Sequence, residues 1–197
     1  MKYTPMLCLL ISLAGCATQP SATVATDLYA RLPHYQGIEH YRACVLLGEL
    51  ELTERQLQTL QIRTAKDPEA DLCDHYLPAR QQLGPQAMQN FLTSIPTGRA
   101  QIALWQLHAE AGFPVSFTPP YITLLNRYAS NHPRALDILI SAIPYADASI
   151  AQQLIDLLAN HYRYRPTQVQ NQLQTWNIAA DTIHLIRQNA EHTGHQP

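Results

Sequence analysis

The sequence is poor in charge and in glycine, and it has no long apolar run. Of its 197 residues only 14% are charged and seven are glycine, against roughly 25% charged residues in an average soluble domain. Thirteen basic and fifteen acidic residues give a formal net charge of −2, with no block of like charges, so we expect no nucleic-acid partner. No stretch reaches the roughly 20 apolar residues that cross a bilayer. With 46% hydrophobic residues, the chain can bury the core of one domain, or of two small ones at most.

The sequence motifs of common enzymes are also missing. No His-Glu-x-x-His, Gly-x-Ser-x-Gly, P-loop or Gly-x-Gly-x-x-Gly occurs. The nine histidines lack the spacing of metal ligands, so we expect most of them at surface or capping positions. We therefore predict no catalytic residue, no metal and no cofactor.

The first sixteen residues have the form of a signal peptide. Lys2 precedes a short apolar run, and the segment ends Leu13-Ala14-Gly15-Cys16. This ending resembles the lipobox of bacterial lipoproteins, in which the signal is cut before an acylated cysteine. The resemblance implies a signal peptide at 1–15, a lipid anchor on Cys16 and a polar tether at 16–21. The alternative is an ordinary cleaved secretory peptide with a chance cysteine.

The residue after the cysteine carries further information under the same resemblance. In enterobacterial lipoproteins an aspartate at that position retains the protein at the inner membrane. Here it is Ala17, which implies transfer to the outer membrane, with the protein on its periplasmic face and held there through the lipid.

Two cysteines remain in the mature chain, Cys44 and Cys73. In an oxidising compartment two leftover cysteines most simply form one disulfide, and we predict that bond. The alternative is a zinc site that uses Cys73-Asp74-His75 together with Cys44. It is less favoured because Cys44 has no second ligand at short spacing.

Helix start and stop signals recur along the chain, whereas the signals of β-hairpins are missing. Thr53 and Gln56 form a capping box, with Leu52 and Leu57 as the hydrophobic staple around it. Pro78 is expected to kink or end its helix. We predict an all-α fold of nine or ten helices, among them helices near 22–32, 38–50, 166–175 and 178–191.

A weak internal repeat suggests how these helices are arranged. Tyr121 to Leu125 aligns with Leu154 to Leu158, 33 residues later, and Pro133 aligns with Pro166. A fainter copy upstream includes the helix at 97–112, whose spacing predicts four inward residues, Ala100, Ala103, Leu104 and Leu107. The pattern resembles short HEAT or tetratricopeptide repeats, which implies helical hairpins stacked as a short α-solenoid. An irregular helical bundle is the alternative.

The predicted organisation is one all-helical domain at 22–191 with a polar tail at 192–197. A sub-boundary is possible near 113–120, where prolines and aromatics form a long connection.

Two segments have the composition of binding surfaces. Tyr162, Arg163, Tyr164 and Arg165 fall in a predicted turn between paired helices, and they are residue types that dominate interface hot spots. Phe117 and Tyr121 lie in the proline-rich connection and could also anchor a partner. Alternatively, the first segment is core packing with solvated arginines, and the second is a well-packed connection.

These features favour a binding protein over an enzyme. We expect an outer-membrane lipoprotein that acts as an adaptor or assembly factor for envelope proteins. One alternative is an envelope enzyme or a regulator of cell-wall hydrolysis, for which Glu49 and Glu51 are the available acids. The other is a module that binds peptidoglycan or lipid.

Overall fold

A computed structural model describes residues 19–50, 52–66, 71–82, 84–114 and 118–192. Within these residues the chain forms eleven α-helices and no strand, so the predicted all-α class is confirmed. The chain divides into two compact units, Met1–Met88 and Gln89–Pro197. The division falls inside one helix, whose last residues begin the second unit.

The amino-terminal unit contains four complete helices, a 3₁₀ turn at Leu32–His34 and the start of a fifth helix. The helices are α1 (Gln19–Arg31), α2 (Gly37–Glu49), α3 (Glu54–Lys66), α4 (Leu72–Arg80) and α5 (Pro85–Ser94). The described part of α1 includes residues 19–21 of the stretch that the sequence predicts to be a tether.

The start of α3 is the capping box that the sequence predicts. The backbone N–H of Thr53 donates to Gln56 Oε1 at 2.8 Å, and the N–H of Gln56 donates back to Thr53 Oγ1 at 3.4 Å. These reciprocal bonds satisfy amide groups that have no partner within the helix.

Helix α4 is deeply buried. All seven residues from Cys73 to Ala79 are buried, and α4 packs against both α2 and α3. Its amino end is capped by Asp71, whose carboxylate accepts from the Cys73 N–H at 2.8 Å. Pro78 lies inside the helix, which ends two residues later at Arg80.

The carboxy-terminal unit contains the rest of α5, six further helices and a 3₁₀ turn at Ile143–Tyr145. The helices are α6 (Arg99–Glu110), α7 (Pro120–Ala129), α8 (Pro133–Ala142), α9 (Ala148–Tyr164), α10 (Pro166–Thr175) and α11 (Ala180–His192). Helix α7 packs on α8, and α9 packs on both α10 and α11. The pairs α7/α8 and α9/α10 are thus two successive helical hairpins.

Hydrogen bonds at constant sequence separation show that equivalent helices of the two hairpins run parallel. Two residues before α7, Thr118 Oγ1 donates to Gln153 Oε1 of α9 at 3.3 Å, and Asn126 Oδ1 of α7 lies 2.8 Å from His161 Nε2 of α9. Both pairs are 35 residues apart. A constant difference in residue number is what two parallel helices produce, because antiparallel helices would instead give a constant sum.

The second helices of the hairpins show the same relationship. Gln172 Nε2 donates to the Pro133 carbonyl at 3.0 Å, and Trp176 Nε1 donates to Asp137 Oδ1 at 2.6 Å. Both pairs are 39 residues apart. The two hairpins therefore stack in the same orientation, as the units of a helical repeat do.

Burial follows the sequence repeat closely across these two hairpins. Tyr121 and its counterpart Leu154 are both buried, as are Leu136 and its counterpart Val169. The equivalent prolines, Pro133 and Pro166, each occupy the first position of a helix, where the missing N–H costs no hydrogen bond.

The fainter upstream copy does not continue the stack in the same way, because α6 buries a different face and its amino end lies at the carboxyl end of α8. Its buried residues are Gln101, Ile102, Trp105 and His108, so the predicted inward set Ala100, Ala103, Leu104 and Leu107 is wrong. The amide of Gly98, which caps α6, donates to Ser141 Oγ near the end of α8 at 2.9 Å. The amino end of α6 therefore meets the carboxyl end of α8, whereas α8 and α10 run parallel.

The division between Met88 and Gln89 differs in place from the sub-boundary suggested near 113–120. Residues 115–117 of that connection lie outside the described part of the chain. The connection as a domain boundary stays a prediction, and so does the domain limit at 191.

Candidate functional site

The candidate site lies where α9 ends. Residues 162–164 form the last turn of α9, and Arg165 connects it to α10, so the predicted placement of this segment in a turn is wrong for three of its four residues. Arg165 has φ −144° and ψ 57°, outside the helical region that a following proline disfavours. Because Pro166 fixes this exit, the side chains stand on a rigid helix end.

Helix α11 contributes a further cation to this region. The Arg187 guanidinium carbon lies 5.9 Å from the centroid of the Tyr162 ring, within cation–π range. We call Tyr162, Arg163, Tyr164, Arg165 and Arg187 the Tyr/Arg surface. Sequence reasoning missed Arg187 because its place depends on the stacking of α11 on α9.

Two members of the Tyr/Arg surface are half-buried and hold helices together. Tyr162 lies under Arg187, and Arg163 Nε donates to the Ala190 carbonyl at 3.1 Å. That carbonyl is in the last turn of α11, where backbone acceptors lack intrahelical partners. Tyr162 and Arg163 therefore connect α9 to α11. For Tyr162 this is the packing role that the sequence left open as an alternative, whereas that alternative had Arg163 solvated.

The other two residues of the segment point into solvent. Tyr164 is 78% exposed, and its ring centroid lies 6.0 Å from the Arg163 guanidinium carbon. Arg165 is exposed as well, and no carboxylate of the described residues lies within ion-pair distance of it. Tyr164 and Arg165 are thus available to a partner.

A histidine at the inner edge of this surface stays close to neutral. Burial lowers the pKa of His161 below its usual range, and the nearby charge of Arg165 lowers it further, although the hydrogen bond with Asn126 acts in the opposite direction. The positive charge of the surface at neutral pH therefore comes from its arginines.

The other predicted aromatic anchors do not join this surface. Tyr121 is only 4% exposed in the first turn of α7, so it belongs to the core and is removed from the candidate set. Phe117 lies outside the described residues, as does Cys16, so lipidation stays a prediction.

The predicted disulfide is present in the amino-terminal unit. Cys44 of α2 and Cys73 of α4 are bonded, with their Cα atoms 5.7 Å apart, a usual separation for a disulfide. Both residues are buried. Because the bond uses both thiols, neither is available as a ligand for the alternative zinc site, which needs thiolates. No group of three or more metal-ligating side chains occurs among the described residues.

Two histidines are more deeply placed than the sequence suggests. His75 and His108 are 4% and 3% exposed, so they are exceptions to the surface or capping positions expected of most histidines. His108 stacks on Phe113 with the ring centroids 4.6 Å apart, and burial lowers its pKa. Neither belongs to a cluster of candidate metal ligands in the part of the chain that is described.

Of the two acids that the sequence makes available to an enzyme, the structure describes only Glu49. Both oxygens of Glu49 lie 3.4 Å from the Arg80 guanidinium, across the α2/α4 contact. Glu51 is outside the described residues. Glu49 is thus bound to an arginine at the surface.

Comparison with known proteins adds no relative. No family model, no curated protein and no solved structure matches the chain. Among the described helices, none is both long enough and apolar enough to span a bilayer.

Proposed function

We propose that the protein is an outer-membrane lipoprotein that binds an envelope protein and holds it at the periplasmic face of that membrane. The lipobox-like end Leu13-Ala14-Gly15-Cys16 supports the anchor. Two or three acyl chains, each contributing about 0.8 kcal/mol per buried methylene, attach a protein more firmly than the marginal hold of one chain.

The observation that carries the binding role is the exposure of Tyr164 beside Arg165. Tyrosine and arginine are the residue types that most often dominate interfaces, and here both are solvent-exposed on a helix end fixed by Pro166. Tyr162 and Arg163 pack against α11, whereas no described hydrogen bond uses the side chain of Tyr164 or Arg165. Their chemistry therefore suits contact with another molecule better than support of the fold.

The anchor is tested by replacing Cys16 with Ser. We expect the variant to remain unprocessed or to appear in the soluble periplasmic fraction. A variant that still matures and fractionates with the outer membrane contradicts the lipoprotein proposal.

The binding role is tested by brief crosslinking and purification of the anchored protein. Tyr164→Ala with Arg165→Ala should reduce partner recovery by about tenfold, as expected of a hot spot. The matched control is Asn171→Ala with Gln174→Ala, two exposed positions on α10, and it should recover partners like the wild type. Equal recovery by both double variants contradicts the role of this surface.

A further inference from the structure

We infer that the Tyr/Arg surface binds an acidic polypeptide segment, in which carboxylates flank an aromatic or aliphatic side chain. This inference rests on the proposed adaptor function and names the chemistry of its partner. Arg165 is exposed without a carboxylate of the described chain at ion-pair distance, and the same holds for Arg187, whose described hydrogen bond goes to the neutral amide of Gln170. The surface thus presents positive charge that the described part of the fold leaves uncompensated.

The acids of α9 and of its amino-terminal cap are committed to hydrogen bonds. Asp156, in the middle of α9, accepts from Gln152 and from Asn189, at 2.9 and 2.8 Å. Asp147 caps the start of α9 by accepting from the Ile150 N–H at 2.9 Å. These bonds hold Asp156 in the middle of α9 and Asp147 at its far end. Glu191, one turn after Arg187 on α11, is exposed and lies outside ion-pair distance of Arg165 and Arg187. The charge of these two arginines is therefore open to a partner's carboxylates.

The positions of Tyr164 and Arg165 favour a partner whose carboxylates belong to a polypeptide. Guanidinium groups bind carboxylates through paired, directional hydrogen bonds, and Arg165 stands on a backbone that Pro166 fixes. The Tyr164 ring lies between Arg163 and Arg165 in the sequence and is 78% exposed. A partner side chain can pack on this ring while acids near it reach Arg165 and Arg187, since Arg163 is half-buried and donates to the Ala190 carbonyl.

A membrane surface fits these observations less well. Helices that lie on a bilayer present a row of apolar side chains below a basic face. Around Tyr164 the described neighbours exposed on α9 and α10 are Asn160, Arg165, Pro166 and Thr167. On these two helices Tyr164 is thus a single exposed aromatic ring without an apolar row, which suits a protein-binding anchor better than a bilayer contact.

The test uses the full chain, purified from membranes in a non-ionic detergent, and two synthetic peptides. One carries glutamates on both sides of a central phenylalanine, and the other has glutamine at every glutamate position. Binding is measured by fluorescence anisotropy. We expect the acidic peptide to bind at least about tenfold more tightly than the glutamine peptide, and to weaken as salt rises from low to physiological concentration.

Variants locate the binding. Arg165→Gln and, separately, Tyr164→Ala should each weaken the acidic peptide about tenfold, while the Asn171→Ala, Gln174→Ala control leaves it unchanged. Thermal melting confirms that each variant is folded. Equal affinity for the two peptides, or loss in the control alone, overturns the inference.

Two further outcomes separate this inference from the adaptor proposal. Binding to vesicles of phosphatidylglycerol in phosphatidylethanolamine that depends on Tyr164, with no binding of the acidic peptide, overturns it in favour of a membrane contact. The second outcome is that the Tyr164→Ala, Arg165→Ala variant loses its crosslinked partner while the wild type does not bind the acidic peptide. In that case the adaptor function stands, and the inference that the partner segment is acidic is refuted.

Discussion

Gly48 of α2 lies directly against the ring of Tyr76 of α4. A Cβ added at Gly48 would lie 2.7 Å from both the hydroxyl oxygen and a ring carbon of Tyr76. Tyr76 is only 3% exposed, so its ring has little room to move. The absent side chain at Gly48 is what lets α2 and α4 approach each other.

Gly48→Ala should therefore destabilise the protein, although alanine is the better helix former by about 1 kcal/mol. We expect the free energy of unfolding to fall by about 1 to 3 kcal/mol, the usual cost of overpacking. The measurement is urea denaturation of the variant, of Tyr76→Leu and of the double variant. If steric conflict with the ring is the cause, the double variant is less destabilised than the two single changes together. If the destabilisation of the double variant equals the sum of the two single changes, steric conflict between the alanine and the Tyr76 ring is not the cause.

The disulfide joins the same two helices and should contribute strongly to stability. Cys44 and Cys73 are 29 residues apart in sequence, and closing a loop of that size stabilises by about 3 to 4 kcal/mol on the chain-entropy model. Cys44→Ala with Cys73→Ala should lower the free energy of unfolding by an amount of that order. Adding a reductant should destabilise the wild type and leave the variant unchanged. A wild-type mature protein whose mass corresponds to two free thiols is incompatible with this bond.

Local chemistry in the sequence is sufficient to place most helix boundaries. Pro166 favours a helix start and disfavours helical geometry at Arg165, and the predicted helix 166–175 is the observed α10, Pro166–Thr175. The Thr53 and Gln56 capping box is likewise complete within a few residues. Such signals depend on groups that are neighbours in the chain.

The orientation of α6 depends on distant contacts, and sequence reasoning failed there. Apolar residues lie on several sides of this helix, so spacing alone does not define one inward face. The structure buries Trp105, the largest side chain of α6, and Gln101 with it, and leaves Ala103 exposed. The same limit explains Arg187, since its contact with Tyr162 exists only because α11 stacks on α9.

Gln101 offers a way to stabilise the protein. Its side chain is fully buried, and neither its amide nitrogen nor its amide oxygen has a hydrogen-bond partner among the described residues. An unsatisfied buried polar group costs about 1 to 3 kcal/mol. Gln101→Leu should therefore raise the free energy of unfolding by about 1 kcal/mol or more. Gln106→Leu, at an exposed position of the same helix, is the control and should change stability by less than about 0.5 kcal/mol. A destabilised Gln101→Leu variant indicates that the amide is satisfied.

The contact between Trp176 and Asp137 should stabilise the stacking of the two hairpins. Asp137 accepts from Trp176 Nε1 at 2.6 Å and from Arg134 at 2.8 Å. Hydrogen bonds to charged groups contribute about 1.5 to 3 kcal/mol. Trp176→Phe keeps a ring but removes the donor, so we expect a loss of about 1 to 2 kcal/mol in chemical denaturation. In an Asp137→Ala background the same change should cost much less. If Trp176→Phe costs the same free energy of unfolding in both backgrounds, the loss comes from packing of the ring and not from the hydrogen bond.

His161 should make the protein less stable as the pH falls. Its pKa in the folded protein lies below the usual range, while in the unfolded chain it returns to about 6.5. Below that pH the unfolded chain binds the proton first, so the free energy of unfolding decreases until the folded-state pKa is passed. His161→Gln keeps an amide that can bond to Asn126 but does not titrate. We compare the two proteins between about pH 7.5 and 5.5, a window around the ordinary histidine pKa. The stability of His161→Gln should change less with pH than that of the wild type. Burial also lowers the pKa of His108, which accounts for part of the pH dependence that remains.

Arg165→Gln removes a charge that disfavours protonation and should raise the pKa of His161, as followed by NMR titration of the imidazole. A wild type that gains stability on acidification in this window, or a His161 pKa unmoved by Arg165→Gln, contradicts the prediction.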